Sequence, residues 1–399
     1  MKLYNMKTEI CIGMAGAGRA AELHINALKR FSGIPIRFKT ITARRKEQLD
    51  DAVNNLGFEK WSFDFNDLLN DPEIDVIDIC TPPYVHEEMI EKAMLAGKHV
   101  ICEKPLSGYF GTEGDEYPIG KNVSKRVMYL QLLQSINRLR QVIKKSGKKF
   151  MYAENFVYAP AIIKAAEIIT KKKSRILYAK GEESLKGSSS PVAGEWDKTG
   201  GGTFIRTGAH PLSAILWLKQ QEALAHGIEI RVKNVFADMA QITPTLSEYD
   251  HRHIRANPID VEDCGTVIIT FTDNTRAIII ATDTLLGGSK NTIELYCNDT
   301  AINCNLTMSD MMNTYFLDED NLENVYISEM LPSKLGWNKP FLEDEIIRGY
   351  TDEMRDFMEA ILYDKEPKSG FDLAYDTIRI IYAAYMSAEI GRKVELDTI

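Results

Sequence analysis

The stretch His99-Val100-Ile101-Cys102-Glu103-Lys104-Pro105 sets a carboxylate and an ammonium side by side at the end of an apolar run. The run reads as a buried strand, and Pro105 stops its ladder because it has no N–H to donate. In an open parallel sheet, ligands bind beyond the carboxyl ends of the strands. A lysine there can donate from its ammonium or, with a lowered pKa, accept a proton. A second chemical stretch is Gly200-Gly201-Gly202-Thr203-Phe204-Ile205-Arg206-Thr207-Gly208-Ala209-His210-Pro211-Leu212-Ser213. Its three glycines would let backbone approach a ligand or cofactor. Arg206, His210 and Ser213 are spaced to share one helix face, and Pro211 is tolerable there if the helix starts late or kinks. A histidine titrates near neutrality and can pass a proton. Asp250-His251-Arg252-His253 offers too few ligands to indicate a metal, and none is expected.

Elements that could hold these residues follow in order. Glu9 to Gly13 is a short apolar strand that runs into Gly16-Ala17-Gly18-Arg19-Ala20-Ala21. A helix then opens over residues 21–29 with Leu23, Ala27 and Leu28 as its apolar face. Strand, glycine turn and helix in this order suit a dinucleotide. One glycine makes the turn, the next admits the pyrophosphate, a small third residue packs helix on strand, and the helix N-terminus faces the anion. A second strand, 36–42, ends at Ala43-Arg44-Arg45, where NAD enzymes carry an acid for the ribose. The missing acid and the two arginines point to NADP(H), since arginine suits a 2′-phosphate. A short helix (65–69), a strand (75–80), the loop Thr81-Pro82-Pro83 and a helix (86–96) ended by Gly97 lead to the strand of Lys104. Alternating strands and helices of this kind predict a parallel sheet.

Residues 108–125 break the rhythm with four glycines and are read as a lid or mouth loop, the alternative being a passive insertion. A helix (128–145) and a strand (149–154) return the chain to the sheet. Beyond it, strands are expected at 176–180, 231–237, 264–271, 276–283 and 292–297, with Thr272-Asp273-Asn274-Thr275 as a hairpin turn. Helices at 203–219, 350–363 and 372–391 flank this antiparallel sheet. The expectation is a Rossmann domain over residues 1–156 and a substrate and oligomerisation domain over 157–399, sharing a cleft upon which Lys104 and His210 converge.

The chain has 399 residues, 44% hydrophobic and 26% charged, with a net charge of −9. That balance argues against a nucleic-acid partner, and no basic stretch is interleaved with aromatics. Lys171-Lys172-Lys173 reads as a solvated helix end. No apolar run nears the roughly 20 residues that cross a bilayer, so no membrane partner is expected. Met1-Lys2-Leu3-Tyr4-Asn5 leads into a strand without a signal-peptide core. Six cysteines without a CxxC pair, three of them (Cys11, Cys80 and Cys102) in core strands, read as thiols in a reducing, cytoplasmic setting.

Together these stretches resemble the Gfo/Idh/MocA family, the glucose–fructose oxidoreductase, inositol dehydrogenase and rhizopine-catabolism relatives. The matching pieces are Gly16-x-Gly18-Arg19, Thr81-Pro82-x-x-x-His86, Gly97-Lys98-His99-Val100-x-Cys102-Glu103-Lys104-Pro105, Gly200-Gly201-Gly202, Gly208-x-His210 and Ser387-Ala388-x-x-Gly391-Arg392. The resemblance implies a doubly wound Rossmann domain followed by an α/β domain on an open, mainly antiparallel sheet. It implies a nicotinamide cofactor, NAD(P) with the arginines favouring NADP(H), contacted by Gly16, Ala17, Gly18, Arg19, Ala20, Ala43, Arg44, Arg45, Thr81, Pro82, His86, Glu103 and Lys104. Lys104 would meet the reacting hydroxyl and His210 would be a second proton-transfer group. Arg206 would anchor substrate, and Asn155, Tyr158, Glu183, Trp196 and Trp337 would line its pocket. Inositol-type members carry an aspartate four residues before the histidine and another three after it. Here Arg206 and Ser213 stand there, which turns the expected substrate toward an acidic sugar or substituent.

The leading expectation is therefore hydride transfer between a nicotinamide and a secondary hydroxyl or keto group of a sugar, cyclitol or derivative. The alternative is glycoside cleavage by transient oxidation and elimination, as in some relatives, and a non-catalytic NADP sensor stands third. A homodimer or homotetramer is the family's expectation.

Overall fold

The structure is a computed structural model that describes residues 9–188, 190–286, 289–306, 312–325, 327, 333–338, 340 and 348–396. Residues 1–5, read above as free of a signal core, lie outside them. The chain divides into two compact units. The first holds the residues up to Ser107, Leu132–Asn155 and Gly349–Tyr375. The second holds Gly108–Gln131, Phe156–Arg348 and the chain from Asp376 on. The chain thus passes between units more than once, where the sequence suggested a single boundary after residue 156.

The first unit is built on a parallel sheet of β1 (Ile10–Ala15), β2 (Ile36–Thr42), β3 (Lys60–Ser62), β4 (Val76–Ile79), β5 (His99–Glu103) and β6 (Phe150–Ala153). Its order is β3-β2-β1-β4-β5-β6, the dinucleotide-binding order that reverses at β1. Every residue of β1, β4 and β6 is buried, as expected of strands covered on both faces. The β1 register on β4 (Ala15 opposite Ile79) and of β4 on β5 (Ile79 opposite Cys102) brings the three carboxyl ends level. The helix after β1 is Arg19–Arg30, and its core side is Ala21, His24, Ile25, Ala27 and Leu28. Leu23, expected on that face, is only half-buried, and His24 takes its place.

The second unit carries β7 (Ile176–Ser184), β8 (Val232–Ala240), β9 (Cys264–Phe271), β10 (Arg276–Thr282), β11 (Lys290–Cys297), β12 (Thr300–Asn305), β13 (Met312–Phe316), β14 (Gly336–Asn338) and β15 (Val394–Glu395). Their order is β14-β13-β12-β11-β7-β10-β9-β8-β15, antiparallel except for the β7–β10 pair. Strict alternation of buried and half-exposed residues along β10 and β12 marks a sheet with one covered face. Helices Pro160–Lys172 and Ala209–His226 pack on each other and on that face. Lys172, predicted to be a solvated helix end, is buried instead, paired with Asp318 and lying 3.6 Å from Asp299. Sequence reading left β12, β13 and β14 unassigned, and these carry the sheet's far edge.

Candidate active site

In the first unit the glycine turn is shaped by two different needs. Gly16 adopts φ +102°, and a Cβ there would come within 2.3 Å of the Cys80 carbonyl oxygen. Its N–H donates to Thr42 O at 2.7 Å, so Gly16 locks β1 to the ends of both neighbouring strands. Gly18 has nothing within 4 Å of where a Cβ would stand. It caps the Arg19–Arg30 helix without any side chain satisfying the first amides. Open space before free helix amides is a cradle that fits a pyrophosphate. Ala17 and Ala20 are half-buried beside it, while Arg19 is exposed and paired with Glu22 at 2.9 Å.

At the end of β2, Ala43 is half-buried, and Arg44 and Arg45 are exposed. Arg45 Nε donates to Gln48 Oε1 at 3.1 Å. Thr81 and Pro82 follow β4, and His86 is buried behind them. Its Nδ1 lies 2.9 Å from Pro105 O and its Nε2 2.9 Å from Thr81 O, so it ties two strand-end loops together. Burial lowers its pKa. Both ring nitrogens face backbone carbonyls, at the residue for which the resemblance implies a cofactor contact.

Glu103 closes β5, opposite Ala153 of β6, and Lys104 follows half-buried at the carboxyl edge. Glu103 Oε2 accepts the Lys104 backbone N–H at 2.9 Å, and the Lys104–Pro105 peptide is cis. Asn155, also predicted to line the site, is buried just after β6.

In the second unit the chain from Phe204 to Gly208 is π-helical and runs directly into the Ala209–His226 helix. Pro211 therefore stands inside a continuous helical run, just after the wider π turn, which accommodates a residue with no N–H to donate. His210 is 8% exposed, and its ring stacks on Phe156 at 4.8 Å and 20°. Ser213 shares a hydrogen bond with Thr377 at 2.8 Å. Arg206 pairs with Asp283, which also accepts from the Thr203 hydroxyl at 3.1 Å. A cavity of about 490 Å³ includes Arg206, Asp283, Asp263, Glu262, Asn257 and Ser188 in its lining.

Gly200, Gly201 and Gly202 open toward protein and not toward a ligand. A Cβ on Gly202 would fall 1.8 Å from Glu262 O, and one on Gly201 2.2 Å from the Tyr385 hydroxyl. The Glu262 carboxylate accepts the Gly202 and Phe204 N–H groups, each at 2.8 Å, and the Tyr385 hydroxyl at 2.9 Å. Burial pushes its pKa up against these donors. Glu262 thus anchors the turn that aims Arg206 and His210, and its distance in sequence hid it.

The other predicted lining residues scatter. Tyr158 is fully buried, and Glu183 lies on β7 opposite Ala281 and Asn291. Trp196 is 2% exposed among Tyr382, Tyr385 and the Lys125 ammonium. Trp337 stands 64% exposed on the edge strand β14, against Tyr315. The 108–125 loop belongs to the second unit. Its Tyr109 N–H donates to the Tyr382 hydroxyl at 2.5 Å and its Gly120 N–H to Asp260 at 2.8 Å.

A parallel sheet in this order, an open glycine cradle and a lysine at the β5 edge define a nicotinamide-dinucleotide oxidoreductase. Comparison with known proteins agrees. The family model described as "Oxidoreductase family, NAD-binding Rossmann fold" matches residues 10–111, and the GFO/IDH/MocA C-terminal domain matches 173–303. The chain belongs to the Gfo/Idh/MocA family. It is 25% identical over 415 residues to levoglucosan dehydrogenase of Pseudarthrobacter phenanthrenivorans, covering 97% of each chain. A solved levoglucosan dehydrogenase complex with NADH and levoglucosan superposes with a TM-score of 0.76 at 21% identity, covering 97% of this chain and 99% of the other. Over 110 residues, 25% of this chain and 24% of the relative, it is 32% identical to a glycosyl hydrolase family 109 protein of Shewanella sp. strain ANA-3.

Proposed function

We propose that this enzyme moves a hydride between a nicotinamide dinucleotide and a secondary hydroxyl or keto carbon of a neutral sugar or cyclitol. The observation that carries the reading is the Glu103–Lys104 turn at the carboxyl edge of β5, two strands from the open Gly18 cradle. A bound nicotinamide supplies the hydride chemistry, and the chain supplies binding, orientation and proton transfer. Lys104 takes the hydroxyl proton in oxidation and returns it in reduction. His210 is the second proton-transfer group, its ring orientation held by Phe156. A neutral substrate is favoured over the acidic one first expected because the Arg206 fork is already engaged by Asp283. Lys104→Met is expected to lose turnover by about 10²–10⁴-fold while dinucleotide affinity stays within a few-fold. Near-full activity in a folded variant would remove Lys104 from the chemistry.

Exposed Arg44 and Arg45, with no acid at the end of β2, favour NADP(H) over NAD(H). The rise in Tm should then be larger with NADP⁺ than with NAD⁺ at equal concentration, and the reverse order would sink that preference. All six cysteines are free thiols, in keeping with a reducing compartment.

The family 109 likeness supports a second reading, glycoside cleavage through transient oxidation with the dinucleotide regenerated. Incubation with aryl glycosides separates the two. Sugar release without net nicotinamide reduction supports cleavage, and net reduction with free polyols supports the dehydrogenase.

A further inference from the structure

Beneath the Glu103–Lys104 turn lies a buried cluster that the proposed chemistry does not use. His24, Asp78, Glu154 and Glu353 are all fully buried. His24 comes from the Arg19–Arg30 helix, Asp78 from β4, and Glu353 from the helix Tyr350–Leu362 that packs on it. Glu154 directly follows β6. The His24 Nδ1 sits 2.9 Å and 3.1 Å from the two Asp78 carboxylate oxygens. Its Nε2 lies 3.2 Å from Glu103 Oε1, an ion-pair distance at which the angle falls short of a hydrogen bond. Cys80 Sγ is 3.5 Å from the ring and 3.4 Å from Asp78, and the Tyr350 ring lies 6.4 Å from it.

An imidazole with a carboxylate at each nitrogen is satisfied on both sides only when both nitrogens carry hydrogen. Burial opposes that charge, but the Asp78 carboxylate beside Nδ1 outweighs it, and the His24 pKa is raised well above its usual value. Glu353 goes the same way for another reason. Burial, with Glu103, Glu154 and Asp78 nearby, outweighs the His24 charge and holds it protonated. The pocket thus keeps one cation among several acids.

Resting on the reading that Lys104 handles the substrate proton, we propose that His24 is a positioning residue for it. One ring nitrogen is anchored on Asp78, and the other faces Glu103 at an ion-pair distance of 3.2 Å; the second Glu103 oxygen holds the Lys104 backbone N–H at 2.9 Å. The contacts run from Asp78 on β4 through His24 on the helix to Glu103 on β5, so the turn that carries the ammonium is held from the helix. The trio His24, Asp78 and Cys80 also has the donor atoms of a metal site. Here Nδ1 and Asp78 meet each other directly at hydrogen-bond distance.

¹⁵N-histidine NMR of the whole protein tests the charge. One of the seven imidazoles, the one lost in His24→Gln, should keep both nitrogens protonated well beyond the pH at which an ordinary imidazole loses one. A His24 signal titrating near its ordinary value, or a stoichiometric transition metal in the purified protein, overturns the proposal. Trace acetic anhydride labelling tests the positioning, read as Lys104 acetylation relative to Lys144 and Lys145. Without the imidazole, Glu103 loses its contact with the helix and the turn that carries Lys104 loses its support, so the Lys104 labelling ratio should change at least threefold in His24→Gln. An unchanged ratio in the folded variant overturns it. If that variant does not fold, His24→Gln/Asp78→Asn removes the buried charge with its partner and carries the same comparison. A fully active Lys104→Met would sink the catalytic reading yet leave both of these readouts in place, so the two failures are distinguishable.

Discussion

His99 shows how much of a residue's behaviour depends on what surrounds it. It opens β5, and its Nδ1 accepts the Lys149 N–H at 3.0 Å. Burial, then the Lys148 charge, lower its pKa from 6.5 to about 4. As pH falls below 6.5, the unfolded chain binds a proton that the folded ring refuses. Stability from this ring is therefore complete above that value and is lost between about 6.5 and 4. Tm followed from neutral to mildly acidic pH should fall less steeply for His99→Gln, whose amide oxygen can accept the same N–H. Equal slopes would mean that other groups control the acid limb. Residues such as Glu103, Lys104 and His210 stand out in the sequence because their types are rare at strand ends and beside glycines. His24 does not, since an isolated histidine on a helical stripe is informative only once Asp78 and Glu103 are known to face it.

At the scale of elements, the Gly200-Gly201-Gly202 turn is the instructive case. The glycine run was legible, but its purpose was misread as ligand approach. Gly201 adopts φ +146° with the Tyr385 hydroxyl where a side chain would go. Gly201→Ala should cost about 2–4 kcal/mol of stability, from backbone strain together with overpacking, while dinucleotide affinity in the folded fraction is unchanged. Denaturant unfolding and a dinucleotide titration on one sample check this. Intact stability with weakened binding would restore the ligand reading. The helix expected over 203–219 extends to His226, and nothing local in the sequence signals its π-helical start. That start depends on Glu262, some sixty residues away in sequence, accepting the first amides.

At the scale of the whole molecule, the second sheet turns half-exposed residues away from the face on which helices Pro160–Lys172 and Ala209–His226 pack. Trp337, Tyr315, Ala301, Tyr296 and Tyr178 form one cross-strand row on it, and Phe236, Ile268 and Ile278 lie in the next. Tyr296, Phe236 and Ile268 are each more than a third exposed. Arg276 and the Lys180–Glu294 pair lie in these same rows; exposed aromatic and aliphatic side chains beside them suit a contact surface, and we propose that two copies of the chain meet there, as a homodimer or as half of a tetramer. Ile268→Asp should then shift the mass by light scattering to that of a single chain while leaving the circular dichroism spectrum intact. An unchanged mass would place the interface elsewhere, and a single-chain wild type would remove it.

Local pattern alone determined the alternation of strand and helix, the glycine cradle, the Glu103–Lys104 edge and the family. Each of these is written in neighbouring residues, through periodicity, turn chemistry and residue type. Tertiary structure decided the partners. It placed Asp283 on Arg206, Glu262 under the triple glycine and Asp78 beside His24, and it buried Lys172 while exposing Trp337. Those pairings join residues tens of positions apart, and burial, which sets the cost of every charge, exists only after the chain has packed.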